Sequence, residues 1–465
     1  MAALQGSIIP GFHGTVLTPS SPQYASANQR FSQTAVLKPA YIAQPAVDSD
    51  IPLALQFALK HHDPLEIAVK GGGVNPYPAA NTNGGLVVDM SQLKSVKFSA
   101  DKKTVTVGGG ALWGDVYAEA DKQGVVVVGG SVFLVGAGGS TLAGGYSPLS
   151  GQYGMAVDNM VRASVVLADG RSVTTDATHE PDLFFAIRGG VNQFGIVTEM
   201  VFQTHPFPGP ITVGSLGYLG TDLPKVLQAL HNHFAHQDPS SKMILMFARS
   251  PPDFSPTILI LPYIENKKTN PDTVLAPFRQ TATPIFEALS VVNNFTAVAH
   301  AADSALTGQP PRANIDGALY SDLWDDVATD VYQKWVEFTG QSKFQSTIVM
   351  WEFSHRDKIA SVPVGATAFA ARSPHFYMTV TARYSDASDD SQVAQWTSQI
   401  AKSVKQAQIQ KTGKPLPIPA SLAQSPQTES VQDVFGPNLP RLRTVKKTYD
   451  ARKVWNRGWV IDPAL

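Results

Sequence analysis

Two glycine-rich runs carry the clearest chemical signal in the chain: Val69-Lys70-Gly71-Gly72-Gly73-Val74-Asn75-Pro76-Tyr77-Pro78-Ala79-Ala80-Asn81 and Val135-Gly136-Ala137-Gly138-Gly139-Ser140-Thr141-Leu142-Ala143-Gly144-Gly145. Both leave successive backbone N–H groups unshielded by side chains, an arrangement that can wrap a pyrophosphate. The second run has Thr141 where G-x-G-x-x-G needs its third glycine, and no P-loop lysine follows, so a Rossmann or P-loop site is disfavoured. Proton chemistry could come from Glu352, Ser354, His355, Tyr377 and Thr379. Strand alternation puts Glu352 with Ser354, and Tyr377 with Thr379, on common faces, which turn either to a pocket or to helices. His231, His233 and His236 invite a metal reading, but His231 and His233 leave a helix on different sides and no carboxylate or cysteine completes a set. A surface helix and no metal site are expected there. Arg188 is expected to be a buried salt-bridge or phosphate partner.

With 465 residues, 43% of them hydrophobic, the chain is long enough for two or three domains with their own cores. Its 36 basic and 37 acidic residues are scattered and sum to −1, so no field steers it to nucleic acid or anionic lipid. The absence of cysteine excludes disulfides, thiol nucleophiles, zinc-thiolate sites and any cysteine-linked cofactor. The first residues lack the basic start and apolar core of a secretory signal, so a cytoplasmic location is expected. Gln123 to Val157 carries no charge and ten glycines, too many for a membrane helix at about 1 kcal/mol per glycine. Buried loops and strand ends forming a ligand cradle are expected instead.

Several elements can be read that would position these groups. A helix starts at Asp48-Ser49-Asp50-Ile51-Pro52, with Ile51, Leu55, Ala58 and Leu59 on one face, and a strand from Glu66 to Lys70 follows. Strands are expected at Val105 to Val107, Val125 to Val128 and Val161 to Leu167, and a helix from Leu112 to Gln123. Ala168-Asp169-Gly170-Arg171 marks a hairpin. Beyond Phe207-Pro208-Gly209-Pro210 the strands lengthen: Ile211 to Tyr218, Met243 to Phe247, Thr257 to Tyr263, Thr347 to Phe353 and Phe376 to Tyr384. Helices from Leu223 to His236 and Ser321 to Thr339 lie between them. An α+β fold is expected, with a second domain built as an antiparallel sheet backed by helices.

In order and spacing, the two glycine runs, Gln152 to Asn159, the Asp169-Gly170 hairpin, Asp182 to Gly190, Gln193 to Thr198 and the tail Pro440 to Asp450 resemble the FAD-linked oxidases, the berberine-bridge-like and vanillyl-alcohol-oxidase-like enzymes. The resemblance implies a two-part PCMH-type FAD-binding domain over 1–208, a substrate domain over 209–429 and a C-terminal return over 430–465. It further implies cofactor contacts at Lys70, Gly71, Gly72, Gly73, Val74, Asn75, Gly136, Gly138, Gly139, Ser140, Gly144, Gly145, Gly195 and Val197, and it places the acid–base candidates Glu352, His355 and Tyr377 on a sheet that faces the flavin.

The departures from that pattern bear on function. Most such enzymes carry a flavin-linked histidine where this chain has Val74, so covalently linked FAD is not expected. Val191 stands where the family's pattern has a third glycine, and Leu439, Gly458 and Val460 stand where flavin-contacting polar residues are common. Polar contacts have no reason to persist once a cofactor is gone, and apolar replacements recover packing. Two readings remain. The first is a fungal biosynthetic cyclase of Diels-Alder or hetero-Diels-Alder type that needs no flavin; the alternative is a noncovalent FAD oxidase or dehydrogenase. A small apolar substrate of polyketide or terpenoid kind is expected in either case.

Overall fold

A computed structural model describes residues 8–250, 253–301, 303 and 308–465. The first sheet holds β1 (Thr15–Leu17), β2 (Tyr41–Gln44), β3 (Ile67–Lys70) and β4 (Leu86–Asp89) in the order β1-β2-β4-β3. Its β2–β4 and β3–β4 pairs are parallel. The helix Asp50–Leu59 connects β2 to β3 and buries Ile51, Ala54, Leu55 and Ala58, the face expected of it except that Leu59 is only half-buried. Asp50 does not cap its own helix; it accepts from the N–H groups of His13, Gly14 and Ala46 and so ties the N-terminal segment down.

The second sheet comprises β5 (Val96–Phe98), β6 (Thr104–Gly108), β7 (Val125–Val127), β8 (Met160–Val166), β9 (Ser172–Asp176) and β10 (Ile196–Pro206). The expected hairpin joins β8 to β9. Between β7 and β8 the chain departs from the expected loops and strand ends: Ala137–Leu142, Ser150–Tyr153 and Ala156–Asn159 are short helices. Glycine's helical penalty is offset here because its bare backbone permits close approach. A β-carbon on Gly138 would sit 2.8 Å from the Gly109 carbonyl.

The third sheet is antiparallel throughout, in the order β14-β11-β13-β12-β16-β17-β15. Its strands are β11 (Ile211–Leu219), β12 (Ser241–Ser250), β13 (Ser255–Glu265), β14 (Phe286–Val292), β15 (Arg312–Tyr320), β16 (Ile348–Ser354) and β17 (Phe376–Tyr384). Period-two alternation sorts its two faces. Trp351, Phe353, Phe376, Met378 and Val380 pack under the helices Leu223–Phe234, Pro271–Thr281, Asp325–Thr339 and Asp390–Thr412. Tyr263, Leu319 and Tyr377 point the other way, into a core shared with Trp113, Phe202 and Trp459. Each fully buried side chain of this size contributes roughly 1.5–3 kcal/mol, so both faces are firmly held.

The C-terminal segment returns to the second sheet through Gln193. Lys446 Nζ donates to its backbone carbonyl at 2.7 Å, its side-chain amide donates to the Arg457 carbonyl at 2.7 Å, and its Oε1 accepts from Ile461 N–H at 3.2 Å. Lys446 is fully buried with Asp450, 2.7 Å away. Among the described residues no helix is long and apolar enough to cross a membrane.

Candidate active site

A cavity of about 340 Å³ opens between the two glycine runs and the third sheet. Gly71, Gly72, Gly73, Val74 and Asn75 form one wall, and Gly136, Gly139 and Ser140 a second. Val191, Ile315, Ala420, Ala423, Gly458 and Trp459 close the rest. The two runs touch at Gly72 and Gly136, where a β-carbon on Gly72 would lie 2.5 Å from the Gly136 nitrogen. Side chains are excluded at that contact by backbone geometry.

The first run has features of an anion nest. Among the described residues, the N–H groups of Gly72, Gly73, Val74 and Asn75 donate to no protein acceptor. Gly73 sits at φ +67°, the left-handed turn that aims neighbouring N–H groups inward. Arg30 lies against it, its Cδ 3.1 Å from where a Gly73 β-carbon would be, and its buried Nε has no partner. Burial lowers the Arg30 pKa, with the nearby Asp89 charge opposing. On the second run Gly139 faces open space, and the buried Thr141 hydroxyl is also unpartnered. Unpaired donors and a cation around an apolar hollow fit the phosphates and flat ring of a flavin dinucleotide.

The other expected cofactor residues do not line this cavity. Lys70 pairs with the buried Asp89 at 3.0 Å, which in turn accepts from Gln44 Nε2 at 3.0 Å. Gly138 packs on Gly109, Gly144 on the Phe369 ring and Gly145 on Ala156. Gly195 lies over Val165 just before β10, and Val197 is buried within that strand. Of the apolar departures, Val74, Val191 and Gly458 line the cavity, Leu439 is buried at the start of the helix Leu439–Asp450, and Val460 is not part of the lining.

On the sheet face turned toward the first half, Glu352 accepts from both Lys242 Nζ and the Tyr377 hydroxyl in close contacts. All three are buried. The Tyr377 ring lies 4.4 Å from that of Tyr146, three residues beyond Ala143 in the cavity wall. The Tyr146 hydroxyl meets His375 Nε2 at 2.7 Å, while His375 Nδ1 lies 2.7 Å from the Ser373 carbonyl. A carbonyl can only accept, so Nδ1 carries the proton and Nε2 receives the tyrosine hydroxyl. Burial drives the His375 pKa down to about 4, so its ring stays neutral, and burial raises that of Tyr146. Burial and the Glu352 charge raise the Tyr377 pKa well above its ordinary value. Nearby, Arg372 holds Asp158 through two hydrogen bonds of 2.9 and 2.7 Å.

Of the acid–base candidates, the fold joins Glu352 and Tyr377 and leaves His355 apart. His355 stands past the end of β16 against Gly151, its buried Nδ1 unpartnered. Tyr146, Lys242 and His375 were missed. Tyr146 follows Gly144-Gly145 directly and could have been found as the first polar side chain after the glycine run; Lys242 and His375 carry no local signal. Among the described residues Arg188 makes no ion pair and does not line the nest: its guanidinium stacks 4.1 Å over Phe184 and donates to the Ala366 carbonyl. Within the histidine group, His231 pairs with Asp325 at 2.7 Å, but His233 is buried rather than on the surface, its pKa lowered to about 4 by desolvation. Among the described residues no three metal-ligating side chains cluster.

A model of an FAD binding domain matches residues 39–176. The FAD-linked oxidoreductase pgmH of Aspergillus terreus is 28% identical over 470 residues, spanning 96% of this chain and 92% of that protein. The bifunctional solanapyrone synthase of Alternaria solani is 34% identical over 235 residues, 50% of this chain and 44% of that protein. The solved structure of Physcomitrella patens BBE-like 1 aligns with a TM-score of 0.81 at 21% identity, over 95% of each chain, so the fold is the same.

Proposed function

Since the chain belongs to the FAD-linked oxidase family, we propose that it is an FAD-dependent oxidoreductase that holds its flavin without a covalent bond and acts on a small, largely apolar biosynthetic molecule. The observation that carries this reading is the nest of four free N–H groups beside Arg30, opening into an apolar cavity. Gly72 to Asn75 and Gly139 would hold the phosphates, and Val74, Val191, Gly458 and Trp459 would pack against the ring. Valine offers no nitrogen to bond a flavin methyl group. When bound, FAD supplies an acceptor for two electrons.

The chain's own residues handle the proton. Tyr146 can take one from a substrate C–H or O–H while passing its own to the waiting lone pair of His375 Nε2, so the pair ends as tyrosine and imidazolium. Glu352, paired with Lys242, fixes the Tyr377 ring against which Tyr146 packs, orienting that tyrosine. The polyketide- or terpenoid-like substrate class is supported by the apolar walls and by a relative named for solanapyrone synthesis. Division at 208/209 into FAD-binding and substrate segments is supported by the strand ranges of the three sheets, and a returning segment over 430–465 by the hydrogen bonds that tie Lys446, Arg457 and Ile461 to Gln193.

One observation favours a second reading. Three cavity walls are apolar at Val74, Val191 and Gly458, and the adjoining Tyr146–His375 pair can donate or relay a proton without any redox partner. A non-redox Diels-Alder or hetero-Diels-Alder cyclase needs only such an enclosure and a hydrogen-bond donor. A panel of polyketide and terpenoid alcohols assayed for oxygen uptake separates the two: turnover with oxygen uptake supports the oxidoreductase, whereas isomerisation at constant mass without oxygen uptake assigns the cyclase.

A further inference from the structure

Along β17 the side chains of Tyr377, Thr379, Thr381 and Arg383 share the face turned toward the cavity side. Two of them lack partners. The buried Thr379 hydroxyl makes no hydrogen bond. The guanidinium of Arg383, a residue only 4% exposed, makes no hydrogen bond and no ion pair among the described residues and lies 4.2 Å over the Phe31 ring. Burial alone lowers its pKa, to about 10, with no carboxylate opposing.

A buried cation without a counter-charge is costly, and proteins keep one where a ligand supplies the missing anion. The surroundings place Arg383 beside the cavity. Thr381 pairs across the sheet with Ile315, which lines the cavity, and Arg383 pairs with Ala313, two residues along the same strand. Phe31, beneath the guanidinium, donates its N–H to the Gly73 carbonyl of the nest. Thr34 links this corner to Pro76 of the cavity wall, donating to the Pro76 carbonyl at 3.0 Å.

We propose that Arg383 is the anion-binding end of the substrate track, so that the substrate is an elongated molecule carrying a carboxylate, with Thr379 as a hydrogen-bonding stop along the way. Thr379 and Arg383 are four residues apart on one strand, about 13 Å, so the carboxylate stands well separated from the part held near Tyr377. Arginine suits this role through its planar pair of donors. The assignment rests on the β17 face beside the cavity being the substrate site but not on the reaction being an oxidation.

Binding rather than turnover therefore tests it. The probes are 6-phenylhexanoate and its uncharged amide, titrated into the full chain as purified and followed by calorimetry. The acid is expected to bind about tenfold or more tightly than the amide. Arg383→Met should abolish that ratio while leaving amide affinity within about twofold, and Arg383→Lys should keep part of it. Retained amide binding in Arg383→Met shows that this variant is folded. Thr379→Val should weaken both probes alike. Equal affinity for acid and amide in the unaltered protein, binding of neither, or an acid preference that survives Arg383→Met would overturn the proposal. Failure of the oxygen-uptake assay with preserved acid preference would overturn the oxidoreductase reading alone.

Discussion

The wall of the cavity formed by residues 71–75 with Gly136, Gly139 and Ser140 is made largely of backbone, whereas the sheet face that carries Tyr377, Glu352 and Lys242 is made of side chains. On the proposed reading the first would recognise what any nucleotide cofactor offers, phosphate oxygens and a flat ring, and it tolerates no added atoms at its tightest contact. The second is a particular set of proton-handling groups gathered from β12, β16, β17 and the segment after the second glycine run. On the same reading one region would fix which cofactor fits and the other what is done with it. A substitution in the first should cost binding and folding, and one in the second should cost rate.

The largest effect is expected at Gly72→Val. Its side chain would enter the 2.5 Å contact with the Gly136 nitrogen, so flavin content should vanish and stability fall by roughly 3 kcal/mol or more, read by thermal melting. Unchanged flavin content would break the division between the regions. Next in size is Tyr146→Phe, which should lower turnover by about 10²-fold at normal flavin content; His375→Ala should do the same, and the double variant should be little worse than either. Stopped-flow reduction checks this, and additive losses would mean that the two do not act as a relay. Val74→Ala should leave flavin bound and extractable, weakening its affinity by about 1 kcal/mol as a packing loss only.

The smallest effect lies away from both regions. Asp316, fully buried within β15, has its pKa raised from 3.8 to about 7 by desolvation, with Lys405 opposing at 3.8 Å and engaged more closely by Glu429 at 2.7 Å. The folded form holds its proton longer than the unfolded chain, so the stability it contributes is complete below pH 3.8 and is lost as pH rises through about 7. Asp316→Asn should therefore gain on the unaltered protein across that window and hold a constant margin above it, as melting curves will show. His375 works in the opposite sense. Its pKa falls from 6.5 to about 4, so its contribution is present above pH 6.5 and is lost as pH drops toward 4.

The same contrast explains what could be read in the sequence. Glycine runs announce the backbone cradle because their meaning is local: no other residue permits the Gly72–Gly136 approach. The sheet cluster is assembled over long separations. Tyr146 and His375 stand 229 residues apart, and Lys242 and Glu352 110 apart, and no spacing rule joins them. Among elements, β17 was legible from its alternation to the residue. β15 was not, since Asp316 and Gly317 interrupt its apolar rhythm, nor was β14, which lies on a sheet edge with most of its side chains exposed. The helix Asp390–Thr412 was passed over because its sequence is polar, although Gly413, at φ +73°, is the residue expected just past a helix end. The buried face of His233 depended on Phe278, which reaches it from another helix.

The central claim, that the cradle holds FAD and that Val74 leaves it unbonded, is tested most directly by the visible absorption spectrum of the native protein, followed by acid precipitation. The account predicts a flavin band in the native protein that moves wholly to the acid supernatant. A colourless folded protein, or flavin that stays with the precipitate, would contradict it.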